Sequence, residues 1–145
     1  MIQLNSFTEK DFALFKSWIR NERELMQFAG PIFTFPLTDE QLYRYISSLD
    51  KKPLKVVLSS TGEVIGHCEL NFENSINRLS RVLIGDAKHR GKGIGGQIII
   101  AMTDLFFENK KINEVDLNVI SWNISAIKCY QKIGFKINQD SSEEV

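Results

Sequence analysis

Val82-Leu83-Ile84-Gly85-Asp86-Ala87-Lys88-His89-Arg90-Gly91-Lys92-Gly93-Ile94-Gly95-Gly96 is the stretch that decides the fold. An apolar, β-branched run stops at Gly85. A polar loop follows, Asp86–Lys92. Four glycines then fall among six residues, ahead of Ile94, Ile98, Ala101, Met102, Leu105 and Phe106, which recur at helical spacing. A strand, a loop and a glycine-opened helix are therefore expected in that order. Glycines permit a backbone that turns its amides inward and approaches a ligand closely. A helix start adds N–H groups without intrahelical partners and the positive end of the dipole. The combination predicts an anion site suited to a pyrophosphate. Lys88, Arg90 and Lys92 concentrate positive charge there, in a chain with 18 basic and 18 acidic residues.

Upstream, two more strands read clearly. Leu54–Ser59 and Val64–Phe72 are joined to each other by Ser60-Thr61-Gly62-Glu63, and to the strand Leu79–Gly85 by Glu73–Asn77. Connections this short force antiparallel neighbours, a meander. Further upstream the pattern is helical from about Glu9 to Leu49. Thr8 and Asp11 form one N-terminal capping pair, with Phe12, Phe15, Trp18 and Ile19 behind it. Asn21–Phe28 continues until Gly30-Pro31 breaks it. Thr38 opens a third piece, with Leu42, Tyr45, Ile46 and Leu49 on one face. Ile2–Leu4 reads as a short first strand. Downstream, Glu114–Val119 is a strand, and Ala126, Ile127, Tyr130 and Ile133 mark a last helix closed by Gly134. Phe135–Asn138 suggests a final short strand, and 139–145 a frayed polar tail. Helices, a meander, then strand–helix–strand–helix make a single α+β domain with helices on both faces of one sheet, an α/β/α sandwich.

Composition bounds the function. With 145 residues, 43% hydrophobic and 25% charged, the chain is one ordinary domain that needs no staples. The even charge balance favours neither nucleic acid nor an anionic membrane as partner. Cys68 and Cys129 have no metal-ligand spacing, and with only His67 and His89 besides, no metal site is expected. The first residues show no secretory pattern and no apolar run is long enough to span a bilayer, so a cytoplasmic protein is expected.

Three ligand readings fit the glycine loop differently. A P-loop fails because no Gly-Lys-Ser/Thr closes it. Gly91, Gly93 and Gly96 match a dinucleotide fingerprint literally, and Asp116 supplies a downstream acid. Yet the preceding strands are a meander, and a polar segment separates strand from glycines. The third pattern is [Arg/Gln]-x-x-Gly-x-[Gly/Ala], met by Arg90, Gly93 and Gly95. Val119–Phe135 adds Asn-x-x-Ala-x-x-x-Tyr-x-Lys-x-Gly-Phe, from Asn123 to Phe135. These two motifs, joined by an amphipathic helix, resemble the GNAT N-acetyltransferase family over Leu54–Phe135. The first 50 residues resemble its branch that acetylates ribosomal-protein N-termini and related aminoglycoside-type enzymes.

The resemblance implies a parallel, splayed strand pair, Leu79–Gly85 and Glu114–Val119. It implies acetyl-coenzyme A (acetyl-CoA) as cofactor and direct attack of an amine on its thioester in a ternary complex. Residues 1–50 then form the acceptor side and 54–138 the sheet and cofactor-binding core. The cofactor set carried over is the backbone near Leu83 and Ile84, the loop Arg90, Gly91, Lys92, Gly93, Ile94, Gly95 and Gly96, and Asn123 and Tyr130. Tyr130 matches the family's acid for the leaving thiolate, but it also reads as a core aromatic on its helix face. Asn123 is equally the N-cap of that helix. No acid lies on Leu79–Gly85, where many relatives carry a glutamate. Glu69 is the candidate base, on a period-two stripe with His67 and Asn71 that either lines the acceptor cleft or faces solvent. Trp18, Phe28, Phe33 and Phe35 either wall an acceptor pocket or fill the core. The short stretch after Phe135 predicts a more open acceptor cleft. The acceptor is a small-molecule amine or a protein N-terminus, and the enzyme a monomer or homodimer. A non-catalytic CoA-binding module is the alternative.

Overall fold

The computed structural model describes residues 1–119 and 123–137. Five strands form one sheet in chain order: β1 Ile2–Ser6, β2 Lys51–Leu58, β3 Val64–Asn71, β4 Arg78–Ile84 and β5 Asp116–Leu117. The first four pair antiparallel, as the short turns require of β2, β3 and β4, and β4 pairs parallel with β5. Three short helices precede β2: α1 Phe12–Ser17, α2 Glu22–Ala29 and α3 Asp39–Ile46. The longer α4, Ile94–Phe107, and α5, Ile124–Ile133, lie in the second half.

Local chemistry explains the helix starts. The Thr8 N–H donates to Asp11 Oδ2 at 2.8 Å, and the Asn21 and Thr38 side chains accept from Glu24 and Gln41. Each satisfies an amide that the first turn leaves free. Gly134 closes α5 at φ 127°, with its N–H on the Tyr130 and Gln131 carbonyls.

The sheet separates two apolar cores. On one face Leu54, Val56, Ile65, Cys68, Leu70 and Leu79 meet Ile94, Ile98, Ile99, Met102 and Phe106 of α4. On the other, Phe7 and Phe12, Phe15, Leu25, Phe33, Leu42 and Tyr45 form an aromatic core under α1–α3. Full burial of one such side chain contributes about 1.5–3 kcal/mol. The phenylalanines concentrated in the first half therefore hold the three short helices onto the sheet, since α1–α3 are too short to persist alone.

Several expectations need correction. β2 begins at Lys51, earlier than its apolar run, because Lys51 and Lys52 pair with Asn71 and Leu70. Leu49 lies beyond α3 and is fully exposed. The strand expected over Glu114–Val119 shortens to two residues, because β5 leaves β4 after one register step. Phe135–Ile137 form no strand. Asn138, the expected tail 139–145, and Ile120–Trp122 of the second motif lie outside the described residues.

Candidate active site and cofactor cradle

The parallel pair is in register only at Arg78↔Asp116 and Leu79↔Leu117. From Ser80 to Ile84, β4 runs on along β3, past the end of β5 at Leu117. It then leads through Gly85 into the glycine loop. Backbone alternation says which groups face β3. Leu83 is in register with His67, and Gly85 N–H donates to Ile65 O at 2.8 Å, so both turn toward β3. By the same alternation the Val82 and Ile84 backbone groups face away from β3. Of the two residues expected to offer backbone groups, Leu83 turns them toward β3 and Ile84 turns them away. Val82 shares the orientation of Ile84, and period-two counting finds it. The Leu83 side chain packs instead against the aromatic core.

A bulge sits on the same strand. Glu69 pairs with Ser80 and His67 with Leu83, so three steps on β4 oppose two on β3. Arg81 absorbs the extra residue at φ 49°. The insertion shifts the side-chain phase, which is why Leu79, Val82 and Ile84 all meet the α4 core while Leu83 does not.

The loop beyond β4 turns on two of its glycines. Gly91 and Gly93 adopt φ 75° and 79°, conformations that L side chains rarely take. Gly93 is the N-cap of α4, whose first turn holds no acidic residue. A Cβ at Gly91, Gly93 or Gly95 would meet nothing within 4 Å, so the glycines are not there to relieve internal crowding. Gly96 differs: it faces Cys129 and Ile133 of α5, where a Cβ would make ordinary van der Waals contact at 3.6 and 3.7 Å. Lys92 is exposed and Ile94 is buried, so Ile94 offers the cradle its N–H and not its side chain. The Arg90 guanidinium donates to Ile84 O, with 2.9 Å from one terminal nitrogen, and thereby ties the loop to the strand end. Asp116, the acid of the dinucleotide pattern, is held by Arg78 at 2.7 Å.

Asn123 caps α5 by accepting from Ala126 N–H at 3.2 Å. Tyr130 is half-buried against Phe135 and the α4 core. Burial, and then the neighbouring Cys129, push its hydroxyl above the ordinary tyrosine value. It therefore holds its proton at neutral pH, as an acid for a departing thiolate must.

The stripe on β3 does not face solvent. His67 and Glu69 are fully buried and Asn71 nearly so, because α1–α3 fold over them. The Glu69 Oε1 accepts from Tyr45 Oη at 2.5 Å and Oε2 from Arg81 at 2.7 Å. Burial raises its pKa despite those partners. With both oxygens engaged and no surface exposed, Glu69 does not meet an acceptor in this geometry. His67 places Nδ1 2.9 Å from Arg81 O and Nε2 3.2 Å from Tyr45 Oη, inside rings from Phe7, Phe15 and Phe28. Burial, the largest cause, lowers its pKa to about 4, so it is neutral, and its Nδ1–H donates to the carbonyl.

On the aromatic side lies an open cavity of about 300 Å³, lined by Phe33, Thr34, Gln41, Arg44, Tyr45 and Lys51, among others. Phe33 and Tyr45 serve both the core and the cavity wall. Trp18 packs over Gly85: a Cβ there would come within 2.1 Å of its indole. Phe35 is exposed and lines no part of this cavity. Among the described residues no helix is long and apolar enough to cross a membrane, and no three His, Cys, Asp or Glu are grouped to hold a metal.

A family model described as an acetyltransferase (GNAT) domain matches residues 2–136. The aminoglycoside N(6′)-acetyltransferase type 1 of Klebsiella pneumoniae is 24% identical over 150 residues, which span 93% of this chain and 74% of its own length. Among solved structures, aminoglycoside acetyltransferase AAC(6′)-Ib in complex with coenzyme A superposes with TM-score 0.78 at 22% identity, over 95% of this chain and 86% of its own. Spermidine N-acetyltransferase from Vibrio cholerae, in complex with CoA and spermine, gives TM-score 0.75 at 18% identity, over 94% and 82%. At these identities the superpositions speak for the fold, and the family match covers nearly the whole chain.

Proposed function

The chain belongs to the GNAT acetyltransferase family, and from that premise we propose that it acetylates a small-molecule primary amine by direct attack in a ternary complex built on the β4 edge and the loop before α4. Acetyl-CoA supplies the activated acetyl thioester. The observation that carries the reading is β4 running through Gly85 into a glycine-opened helix start, with Gly91 and Gly93 at positive φ and no acidic residue in the first turn of α4. Val82 and Ile84 offer backbone groups to the pantetheine arm. The N–H groups at Gly91–Gly96 hold the phosphates, with Lys92 adding charge. In this role Arg90 exchanges the Ile84 carbonyl for a phosphate. A fixed N–H aimed at the thioester oxygen opposes charge as it develops, an effect worth about 2.7–4 kcal/mol where single donors have been removed. Tyr130 donates its proton to the leaving sulfur, and Asn123 borders the cofactor while capping α5.

The acceptor enters from the side of residues 1–50, where the 300 Å³ cavity lies. The solved relatives were captured with kanamycin and with spermine, which supports a small amine. A protein N-terminus is the second acceptor class, a cytoplasmic location fits both, and the protein acts as a monomer or homodimer. Glu69 is not the base in this reading. A water, or an amine of lowered pKa, serves in its place.

Calorimetric titration with acetyl-CoA, beside NADH and dephospho-CoA, is the test. The expected result is saturable acetyl-CoA binding, no NADH binding, and weaker binding in Arg90→Ala. An absence of acetyl-CoA binding would refute the reading.

A further inference from the structure

The bulge on β4 is held from outside the strand. Arg81 at φ 49° is in a region costly to a side chain other than glycine. Two buried β3 residues hold it there. Glu69 takes its guanidinium at 2.7 Å, and His67 Nδ1 takes its carbonyl at 2.9 Å. The next amide is that of Val82. A trans peptide is planar, with C=O and N–H pointing in opposite directions. A hydrogen bond that fixes the Arg81 carbonyl toward the His67 ring therefore fixes the Val82 N–H on the opposite side, away from His67.

We propose that His67 is a positioning residue of acetyl transfer: its hydrogen bond to the Arg81 carbonyl aims the Val82 N–H at the thioester oxygen, and the Glu69–Arg81 ion pair holds the same turn. The inference rests on the acetyltransferase reading above. His67 touches neither cofactor nor acceptor and acts through one peptide group. The arrangement also explains why charged and polar side chains are buried on β3. Tyr45 completes the set by donating to Glu69, so its carboxylate is held toward Arg81 and the guanidinium is kept in place.

The test substitutes the ring and reads the carbonyl. His67→Asn keeps an N–H donor close to the Nδ1 position. His67→Gln moves it outward, and His67→Leu removes it. Each variant is melted to confirm folding, titrated with acetyl-CoA, and loaded with acetyl-CoA carrying 13C at the acetyl carbonyl for difference infrared spectroscopy. In the wild type the bound thioester carbonyl is expected at lower frequency than in free acetyl-CoA, the signature of a donor on its oxygen. His67→Asn keeps that displacement. His67→Leu and His67→Gln return it toward the free value, with dissociation constants within about threefold, and slow transfer by roughly ten- to a hundredfold, somewhat less than outright loss of a donor. A folded His67→Gln or His67→Leu with an unmoved carbonyl band overturns the proposal, as does wild-type protein that binds acetyl-CoA without a displaced band. Failure of the wild type to bind in the calorimeter overturns the acetyltransferase reading as well, which separates the two failures.

Discussion

Replacing Gly95 by alanine sets stability against ligand binding. Gly95 is the second residue of α4, and a Cβ there meets no atom within 4 Å. Alanine therefore adds no clash and removes the entropic cost of glycine in a helix, which reaches about 1 kcal/mol in a helix interior and less in a first turn. Taking about 0.5 kcal/mol, and about 2–4 °C per kcal/mol for a domain of this size, the melting temperature of free Gly95→Ala should rise by roughly 1–2 °C. The same methyl would stand in the space where a phosphate oxygen approaches the first-turn amides. Loss of one charge-assisted hydrogen bond costs about 1.5–3 kcal/mol, or roughly ten- to a hundredfold in acetyl-CoA affinity. Gly62→Ala is the control. It is strained at φ 78° in the β2–β3 turn, so it should lower the melting temperature and leave affinity alone. Melting curves and calorimetry on the three proteins decide the matter. Unchanged acetyl-CoA affinity in Gly95→Ala would mean that the space above Gly95 holds no ligand, and the cradle reasoning fails.

Three other outcomes follow from the geometry. Gly66→Ala would bring a Cβ to 2.4 Å from the Leu83 carbonyl, a backbone atom that cannot swing aside, so about 2–3 kcal/mol of overpacking should appear in denaturant melts. A loss below 0.5 kcal/mol, on the order of a neutral surface change, would contradict the close β3–β4 approach. His67 is neutral when folded, with its pKa lowered to about 4 from an ordinary 6.5, so its contribution to stability is complete above pH 6.5 and is lost as pH falls from there toward 4. At about 1.4 kcal/mol per pH unit this reaches about 3 kcal/mol, and Glu69, whose pKa is raised, acts with opposite sign; the advantage of wild type over His67→Asn should therefore shrink across that window, and a constant difference would disprove the buried neutral ring. Tyr130→Phe should bind acetyl-CoA as wild type does and turn over about a hundredfold more slowly; equal turnover would retire the hydroxyl as acid.

The meander, the glycine-opened helix and the helix caps were legible because each rests on local chemistry: short turns, positive-φ glycines, a side chain and an amide three residues apart. The buried stripe on β3 was not. His67, Glu69 and Asn71 alternate as a solvent face does, and only the docking of α1–α3 from distant sequence covers them. The left-handed Arg81 was hidden for a similar reason, since nothing in Ser80-Arg81-Val82 announces a bulge. Its partners lie more than ten residues upstream and meet it only across the sheet. The side-chain direction of Leu83 was hidden with it, since the bulge shifts the strand's phase by one residue and turns Leu83 to the aromatic core. β5 ran short because its sequence carries the β-branched pattern but not the point at which pairing ends.

The two apolar cores divide the protein's freedom to change. The α4 core shares residues with the cofactor edge, since Val82 and Ile84 pack into it. The aromatic core shares Phe33 and Tyr45 with the acceptor-side cavity. A substitution that remodels this cavity places its packing cost on α1–α3. On the proposed reading, the acceptor side can therefore change while the α4 core keeps its packing. His67, Glu69 and Arg81 tie β3 to β4 beneath that aromatic core.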